Sequence, residues 1–183
     1  MNFIKTEIEG VILIEPRLFR DSRGLFFESY RQDEFEKNGI ENCFVQDNQS
    51  LSVYGTVRGL HRQKEGHEQA KLVRVLHGEI LDVVIDIRRE SPTFGKLLTF
   101  ELSDRNGYQL FVPRGFLHGF SVLSDTAVCL YKVDDFYCKD AEYSVYPLDK
   151  DLGIDWKIPK DKIIISDKDR LGNSFKDVVD NRR

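Results

Sequence analysis

A histidine, a lysine and two arginines lie close together in one short stretch of the sequence. His61 and Lys71 are ten positions apart, and Arg58 and Arg74 flank them. An imidazole can remove a proton, an ammonium can stabilise an enolate oxygen, and guanidinium groups bind anions. Such a set suits the removal of a proton beside a carbonyl group of an anionic substrate.

The same residues also have simpler interpretations. A single histidine is more often structural than catalytic, and a lysine at the start of an apolar strand often does no more than extend its ammonium to solvent. Cations near His61 would hold its imidazole neutral, which is the form that a general base requires. His61 and His118 are also candidate metal ligands, but the sequence lacks the His-x-His pair usual in metal-binding jelly rolls. Proton transfer is therefore favoured over metal binding.

A second proton carrier and several ligand-binding groups lie elsewhere along the chain. Tyr131 lies in a run of β-forming residues, 128–133, where packing within a sheet is its default role. A phenol across the substrate from a base could return a proton to the other face of a carbon, as inversion requires. The polar groups that could hold a phosphate and a sugar together with Arg58 are Arg23, Glu28, Gln46, Asp47 and Asn48.

These residues need a scaffold, and the sequence predicts one built almost entirely from β-strands. Within 79–87, the apolar residues 81, 83, 85 and 87 share one face, while Asp82 and Asp86 lie on the other. The other predicted strands are 11–15, 25–30, 43–46, 71–76, 97–102, 109–112, 119–123 and 127–133. Many short strands separated by turn signals are typical of a sandwich or jelly roll.

Helix signals are few, and the whole chain is interpreted as one domain. A short helix is predicted at 33–38, closed by Gly39, and a C-terminal helix after Asp167. The predicted fold is thus an all-β jelly roll, residues 1–183, with short peripheral and C-terminal helices. A jelly roll keeps edge strands, so we expect a homodimer that pairs across an edge.

Composition excludes several classes of function. The chain has 183 residues, a net charge of −4 and 32% charged residues, which is an ordinary globular balance. The chain has no surplus of basic residues, so its composition does not indicate nucleic acid or a membrane surface as a partner. We find neither the layout of a signal peptide nor an apolar run of about 20 residues, so a cytoplasmic protein is expected.

A series of ordered motifs resembles the dTDP-4-dehydrorhamnose 3,5-epimerase family of cupin-type nucleotide-sugar epimerases. The resemblance extends from about residue 12 to residue 170. Its landmarks are DSRGLFFE at 21–28, FVQDN at 44–48, VRGLH at 57–61, KLVR at 71–74, RESPTFG at 89–95, PRGFLHGF at 113–120, LYK at 130–132 and SDKDR at 166–170. So many motifs in one order are specific to the family.

The resemblance implies a cupin-like jelly roll that acts as a homodimer without a metal or an organic cofactor. It implies dTDP-4-dehydro-6-deoxyglucose as the substrate, with protons leaving C3 and C5 beside the C4 ketone and returning on the opposite face. By the same resemblance His61 is the base, Asp169 its carboxylate partner, Lys71 the cation at the C4 oxygen and Tyr131 the acid. The substrate-binding positions it implies are Arg23, Glu28, Gln46, Asp47, Asn48, Arg58, His118, Tyr137, Glu142 and Lys168.

The chain also departs from the family pattern near the predicted site. Arg62 follows the predicted base where the family usually has an aromatic residue, Leu117 precedes His118 in place of alanine, and residues 143–147 differ as well. Three alternatives therefore stay open. They are a 3-epimerase on a related 4-keto-6-deoxyhexose, a metal-dependent cupin enzyme, and a nucleotide-sugar binding protein without catalysis.

Overall fold

The protein is described by a computed structural model that covers residues 1–180, and strands dominate it. Thirteen strands, β1 to β13 in chain order, occur within those residues. Their bounds are Asn2–Lys5, Ile12–Glu15, Phe19–Asp21, Gly24–Phe26, Gln46–Val53, Val57–Gln63, Lys71–His77, Glu79–Asp86, Leu97–Ser103, Gln109–Val112, Phe116–Val122, Thr126–Val133 and Glu142–Ser144.

Helices are short and peripheral, as the sequence predicts. Helix α1 spans Gln32–Lys37, and the predicted C-terminal helix is two separate pieces, α2 at Asp167–Arg170 and α3 at Phe175–Asp180. Three 3₁₀ turns lie at Lys139–Ala141, Lys150–Leu152 and Lys160–Lys162. Within residues 1–180, no helix is long and apolar enough to cross a bilayer.

The strands form two antiparallel sheets packed face to face, which confirms the predicted jelly roll. One sheet has six strands in the order β1-β2-β10-β7-β12-β5, and the other has five in the order β13-β6-β11-β8-β9. Strands β3 and β4 form a separate hairpin. Because chain neighbours such as β7 and β8 lie in different sheets, residues far apart in sequence meet between them.

Strand β8 shows how the alternating pattern distributes side chains between two cores. Val84 packs between the sheets with Val73 and Leu110, and Asp82 lies on the same face of the strand. The apolar residues on the other face pack outward against the C-terminal segment, where Trp156 is buried. The predicted unlike faces of this strand are therefore confirmed, and both faces are buried.

Two predicted strands are displaced. The prediction of a strand at 43–46 is wrong, because the chain enters β5 only at Gln46 and continues to Val53. The predicted strand 25–30 ends at Phe26. In β5 the inward positions are polar, so the apolar alternation on which the prediction relied is absent there.

Strands β6 and β11 approach each other closely beside the predicted base. A Cβ atom added to Gly119 would lie 2.6 Å from the carbonyl oxygen of Arg58, and one added to Gly59 would lie 2.7 Å from the Cα of Gly119. Only glycine fits such backbone contacts. The ladder register is irregular here, between His118 and Phe120, and His118 is paired with His61. The two glycines thus bring the two histidines onto neighbouring positions.

We expect Gly119→Ala to lower the free energy of unfolding by about 3 kcal/mol, because neither backbone can yield in the middle of a sheet. Denaturant unfolding measures the change. Gly39→Ala is the control, because a Cβ atom there meets nothing within 4 Å. Only the left-handed backbone conformation opposes that substitution, at a cost of about 1 kcal/mol in the free energy of unfolding. Equal losses in the two variants would contradict the close-approach argument.

Candidate active site

A cavity of about 400 Å³ lies between the two sheets and collects most of the predicted chemical groups. Its wall from the five-stranded sheet includes Arg58, His61 and His118, and its wall from the six-stranded sheet includes Lys71 and Tyr131. Helix α2 closes one side with Asp169. Groups more than a hundred residues apart in sequence are therefore neighbours here.

His61 is held by a carboxylate that the sequence places 108 positions away. Its Nε2 lies 2.6 Å from Oδ1 of Asp169, whose side chain is buried while that of His61 is part-exposed. Burial by itself would raise the pKa of Asp169, but hydrogen bonds from His61, Ser166 and the backbone outweigh it and hold the pKa below its usual value. An ionised carboxylate only accepts, so Nε2 carries the hydrogen and Nδ1 keeps the lone pair of a base.

A second histidine–aspartate pair lies directly beside the first. Nε2 of His118 lies 3.0 and 2.9 Å from the two carboxylate oxygens of Asp82, and both side chains are buried. Burial lowers the pKa of His118 even though the charge of Asp82 opposes that shift. A neutral His118 can present one ring nitrogen to a ligand while Asp82 fixes the other.

Lys71 contributes a cation that no group among residues 1–180 neutralises directly. Its Nζ lies 5.9 Å from the ring centroid of Tyr131, and within residues 1–180 it forms no ion pair or hydrogen bond. Burial lowers its pKa to about 8, although the nearby charge of Asp82 works in the other direction. A poorly solvated ammonium without a partner is well placed to stabilise negative charge that develops on a ligand.

Tyr131 faces the base from the other sheet. Burial is the main cause that raises the pKa of its phenol, so the hydroxyl stays protonated at neutral pH and can donate. His61 lies on β6 of one sheet and Tyr131 on β12 of the other. Two proton carriers therefore enter the cavity from opposite walls, with Lys71 on the wall of Tyr131.

Arg58 supplies a second cation, and a buried hydroxyl orients it. Its Nε donates a 2.8 Å hydrogen bond to Oγ of Ser52, which leaves the rest of the guanidinium for the cavity. A fixed guanidinium suits a phosphate oxygen.

A polar network borders the cavity and contains five further predicted residues. Lys168 Nζ donates to Oε1 of Glu142 at 2.5 Å, and the Tyr137 hydroxyl donates to Oε2 of the same carboxylate at 2.8 Å. Oε1 of Gln46 accepts from the backbone N–H of Tyr137 at 3.2 Å, and Nε2 of Gln46 donates to Asn48 at 2.9 Å. The ring of Tyr137 is half exposed and lies free to stack on a ligand.

Four residues that the sequence analysis names do not line the cavity of their own chain, namely Asp47, Arg74, Arg23 and Glu28. Asp47 projects from the opposite face of β5 from Asn48 and pairs with Lys132, so it does not line this cavity, and its role in substrate binding stays a prediction. Arg74 stacks on Phe27 at 5.4 Å on the outer face of its sheet. Successive side chains of a strand point to opposite faces, which explains both cases.

Arg23 and Glu28 also lie outside the cavity of their own chain. Arg23 forms the turn of the β3–β4 hairpin, pairs with Asp21 at 2.6 Å and is almost fully exposed. Glu28 lies just after the hairpin, 3.7 Å from Arg31. Neither residue lines the cavity of its own chain, and their role in substrate binding stays a prediction.

Sequence reasoning missed three residues that shape the site. Asp82 holds His118, Ser52 holds Arg58, and Ser166 caps α2 by accepting from the backbone N–H of Asp169. A signal existed for Asp82, because a carboxylate on a strand otherwise buried on both faces needs a partner. Within residues 1–180, no group of three or more His, Cys, Asp or Glu is arranged to hold a metal ion.

Comparison with known proteins agrees with the motifs. The family model described as dTDP-4-dehydrorhamnose 3,5-epimerase matches residues 5–177. The enzyme of that name from Shigella flexneri is 49% identical over 178 residues, which is 97% of each chain.

Solved structures agree as well. The crystal structure of dTDP-4-dehydrorhamnose 3,5-epimerase from Elizabethkingia anophelis superposes with a TM-score of 0.92 at 52% identity and covers 97% of each chain. That of dTDP-6-deoxy-D-glucose-3,5-epimerase from Legionella pneumophila, in complex with dTDP-4-keto-L-rhamnose, gives 0.91 at 43% identity, covering 96% of this chain and 93% of the other. This chain therefore belongs to the dTDP-4-dehydrorhamnose 3,5-epimerase family.

Proposed function

We propose that the protein converts dTDP-4-dehydro-6-deoxy-D-glucose to dTDP-4-dehydro-L-rhamnose by inverting C3 and C5 of the sugar. The observation that carries the proposal is the arrangement of the cavity. His61, held by Asp169, and Tyr131 enter from facing sheets, and the ammonium of Lys71 lies on the phenol's side. That arrangement suits removal of a proton from one face of a carbon and its return to the other.

The first step is removal of a proton beside the C4 ketone by His61. The electron pair of the C–H bond moves into the C3–C4 or C5–C4 bond, and the carbonyl electrons move to the C4 oxygen. A proton beside a ketone is too weakly acidic for imidazole unless that enolate oxygen is stabilised. Lys71 supplies the stabilisation, and a desolvated cation beside the developing charge contributes several kcal/mol.

The second step is donation of a proton by Tyr131 to the opposite face of the same carbon. The raised pKa of the phenol keeps the proton available until the enolate collapses. Each turnover leaves His61 protonated and Tyr131 ionised, and exchange with solvent restores both. Asp169 stabilises the intermediate imidazolium and fixes the ring.

Asp169→Asn is expected to lower kcat roughly 100-fold or more with little change in KM. The amide keeps the shape but cannot stabilise the imidazolium, and it can favour the wrong tautomer. Steady-state kinetics across a pH series measures the effect, since a purely structural loss would leave the shape of the pH profile unchanged. Asp104→Asn, at the surface pair with His77, is the control and should change nothing. An unaltered kcat in Asp169→Asn would contradict the proposed pairing.

Binding of the nucleotide is assigned to the groups around the mouth. Arg58 and Lys168 offer positive charge to the diphosphate, and Gln46, Asn48 and His118 offer hydrogen bonds to the sugar and its linkage. Tyr137, anchored by Glu142, offers an exposed ring on which the base can stack. The charges that hold the substrate all belong to side chains, and we propose that no metal or organic cofactor takes part.

We also propose a homodimer, in which Arg23 and Glu28 bind ligand in the partner's cavity. The hairpin that carries Arg23 exposes large apolar side chains, with Phe26 71% exposed. Strand β5 ends the six-stranded sheet and exposes Leu51 at 67%. A free edge beside exposed apolar groups supports pairing with a second copy. The two sheets share one core, which supports a single domain, and the whole is proposed to work in the cytoplasm.

Deuterium incorporation tests the reaction and separates its alternatives. The protein is incubated with dTDP-4-dehydro-6-deoxyglucose in deuterated water with a chelator present, and NMR locates the label. Label at C3 and C5 is expected, and label at C3 alone would replace this proposal by a 3-epimerase. Dependence of the exchange on added metal would favour a metal-dependent enzyme. Binding without any label would leave a nucleotide-sugar binding protein.

A further inference from the structure

A second cavity, of about 480 Å³, lies on the other side of the five-stranded sheet from the candidate active site. The two cavities share no lining residue. Consecutive residues of β6 line them, because His61 projects into the first and Arg62 into the second. Strand β13 adds Tyr143, which is the register partner of Arg62.

The contacts of Arg62 leave part of its guanidinium without a partner among residues 1–180. Its guanidinium stacks on the ring of Tyr143 at 5.1 Å. Its Nε is buried, and no group among residues 1–180 accepts a hydrogen bond from it. No carboxylate in that range forms an ion pair with it, although Glu65 and Glu68 line the same cavity. A buried donor without an acceptor costs free energy, and Arg62 also lines the cavity, where a bound anion would meet its positive charge.

The rest of the cavity indicates what kind of anion fits. Lys64 adds a cation, while the charge of Arg88 is already balanced by Asp86 at 2.7 Å. Phe94 and Tyr143 provide aromatic wall. The volume lies within the range of small-molecule sites. A guanidinium fork matches phosphate oxygens, and aromatic walls bind planar rings.

We infer that this cavity is a second ligand site, which binds a small molecule that joins a phosphate group to a planar ring, as a nucleotide does. Arg62 is its anchor, and the rings of Phe94 and Tyr143 form its aromatic wall. The site is separate from the proposed function, since it uses none of the residues assigned to the reaction. A ligand bound in this cavity would lie directly behind β6, the strand that carries His61.

Calorimetric titration with dTDP tests the inference. The wild type is expected to show two binding events per chain. Arg62→Gln should weaken one of them at least 10-fold and leave the other unchanged, whereas Arg58→Gln should weaken the other. Arg62→Lys keeps the positive charge but lacks the planar guanidinium, so it should weaken the same event as Arg62→Gln. The other binding event, unchanged in both variants, shows that each of them is folded. Arg105→Gln, at an exposed arginine elsewhere, should preserve both events.

The outcomes separate this inference from the proposed reaction. Arg62→Gln should retain deuterium exchange on the sugar substrate, and two dTDP sites in a protein without exchange would overturn only the proposed function. A single binding event in the wild type, or two unchanged events in both Arg62 variants, would overturn the second site. Inorganic pyrophosphate should bind the Arg62-dependent site at least 10-fold more weakly than dTDP, and equal affinity would overturn the role given to the ring.

Discussion

Replacement of His61 by alanine is expected to lower the rate of deuterium exchange on the sugar substrate by about 1,000-fold or more. Alanine lacks the imidazole, which is the only proton acceptor that Asp169 orients in the cavity among residues 1–180. Binding of dTDP should stay largely intact, because the nucleotide is assigned to groups at the mouth. NMR of the exchange reaction and calorimetry of dTDP binding measure the two effects separately.

His77→Ala is the matched control for this variant. His77 also pairs with an aspartate, Asp104 at 3.4 Å, but it lies exposed at the end of β7. The control should keep the wild-type exchange rate. Exchange at a near wild-type rate in His61→Ala would show that another group removes the proton, and equal losses in both variants would indicate a general effect of losing a histidine.

Lys71→Met is expected to lower the rate of exchange by about 100- to 1,000-fold while making the protein more stable at pH 7. The pKa of about 8 means that the fold disfavours the charged ammonium, by roughly 3 kcal/mol for a shift of that size from 10.5. An apolar side chain of similar length avoids that cost, so the free energy of unfolding should rise by about 1–3 kcal/mol. Denaturant unfolding and exchange kinetics measure the two changes.

The pH dependence of the wild type tests the same cost of the charged Lys71 ammonium. Between about pH 8 and 10.5 the folded chain releases the Lys71 proton while the unfolded chain keeps it, so the destabilising contribution of this residue fades as pH rises. The exchange rate should fall over the same interval, because the enolate loses its cation. In Lys71→Met this rise in stability should be absent.

Lys132→Met serves as the control for Lys71→Met. Lys132 lies on the adjacent strand, but it faces outward and pairs with Asp47 at 2.9 Å. The control should show no gain in stability and an exchange rate close to that of the wild type. A loss of stability in Lys71→Met would contradict the view that the buried ammonium is held for function at the expense of the fold.

Most of the scaffold could be predicted because its strands alternate or are continuously apolar. Strands such as β7 and β8 carry their pattern in the sequence, since one or both faces contact a core. Strand β5 could not be predicted in the same way. Its inward residues are Asn48, Ser50 and Ser52, which are polar because they face or support the cavity. The apolar alternation that predicts a strand is absent where polar residues of the site take the place of core residues.

The sequence by itself determined the residue types, the family and the order of the motifs. Only the tertiary structure brought Asp169 to His61, placed Tyr131 on the facing sheet and turned Asp47 and Arg74 away from the cavity. The physical reason is that strand neighbours in this fold come from distant parts of the chain, so a contact depends on topology and register. A side chain one position along a strand points to the other face, and that difference separates His61 in one cavity from Arg62 in the other.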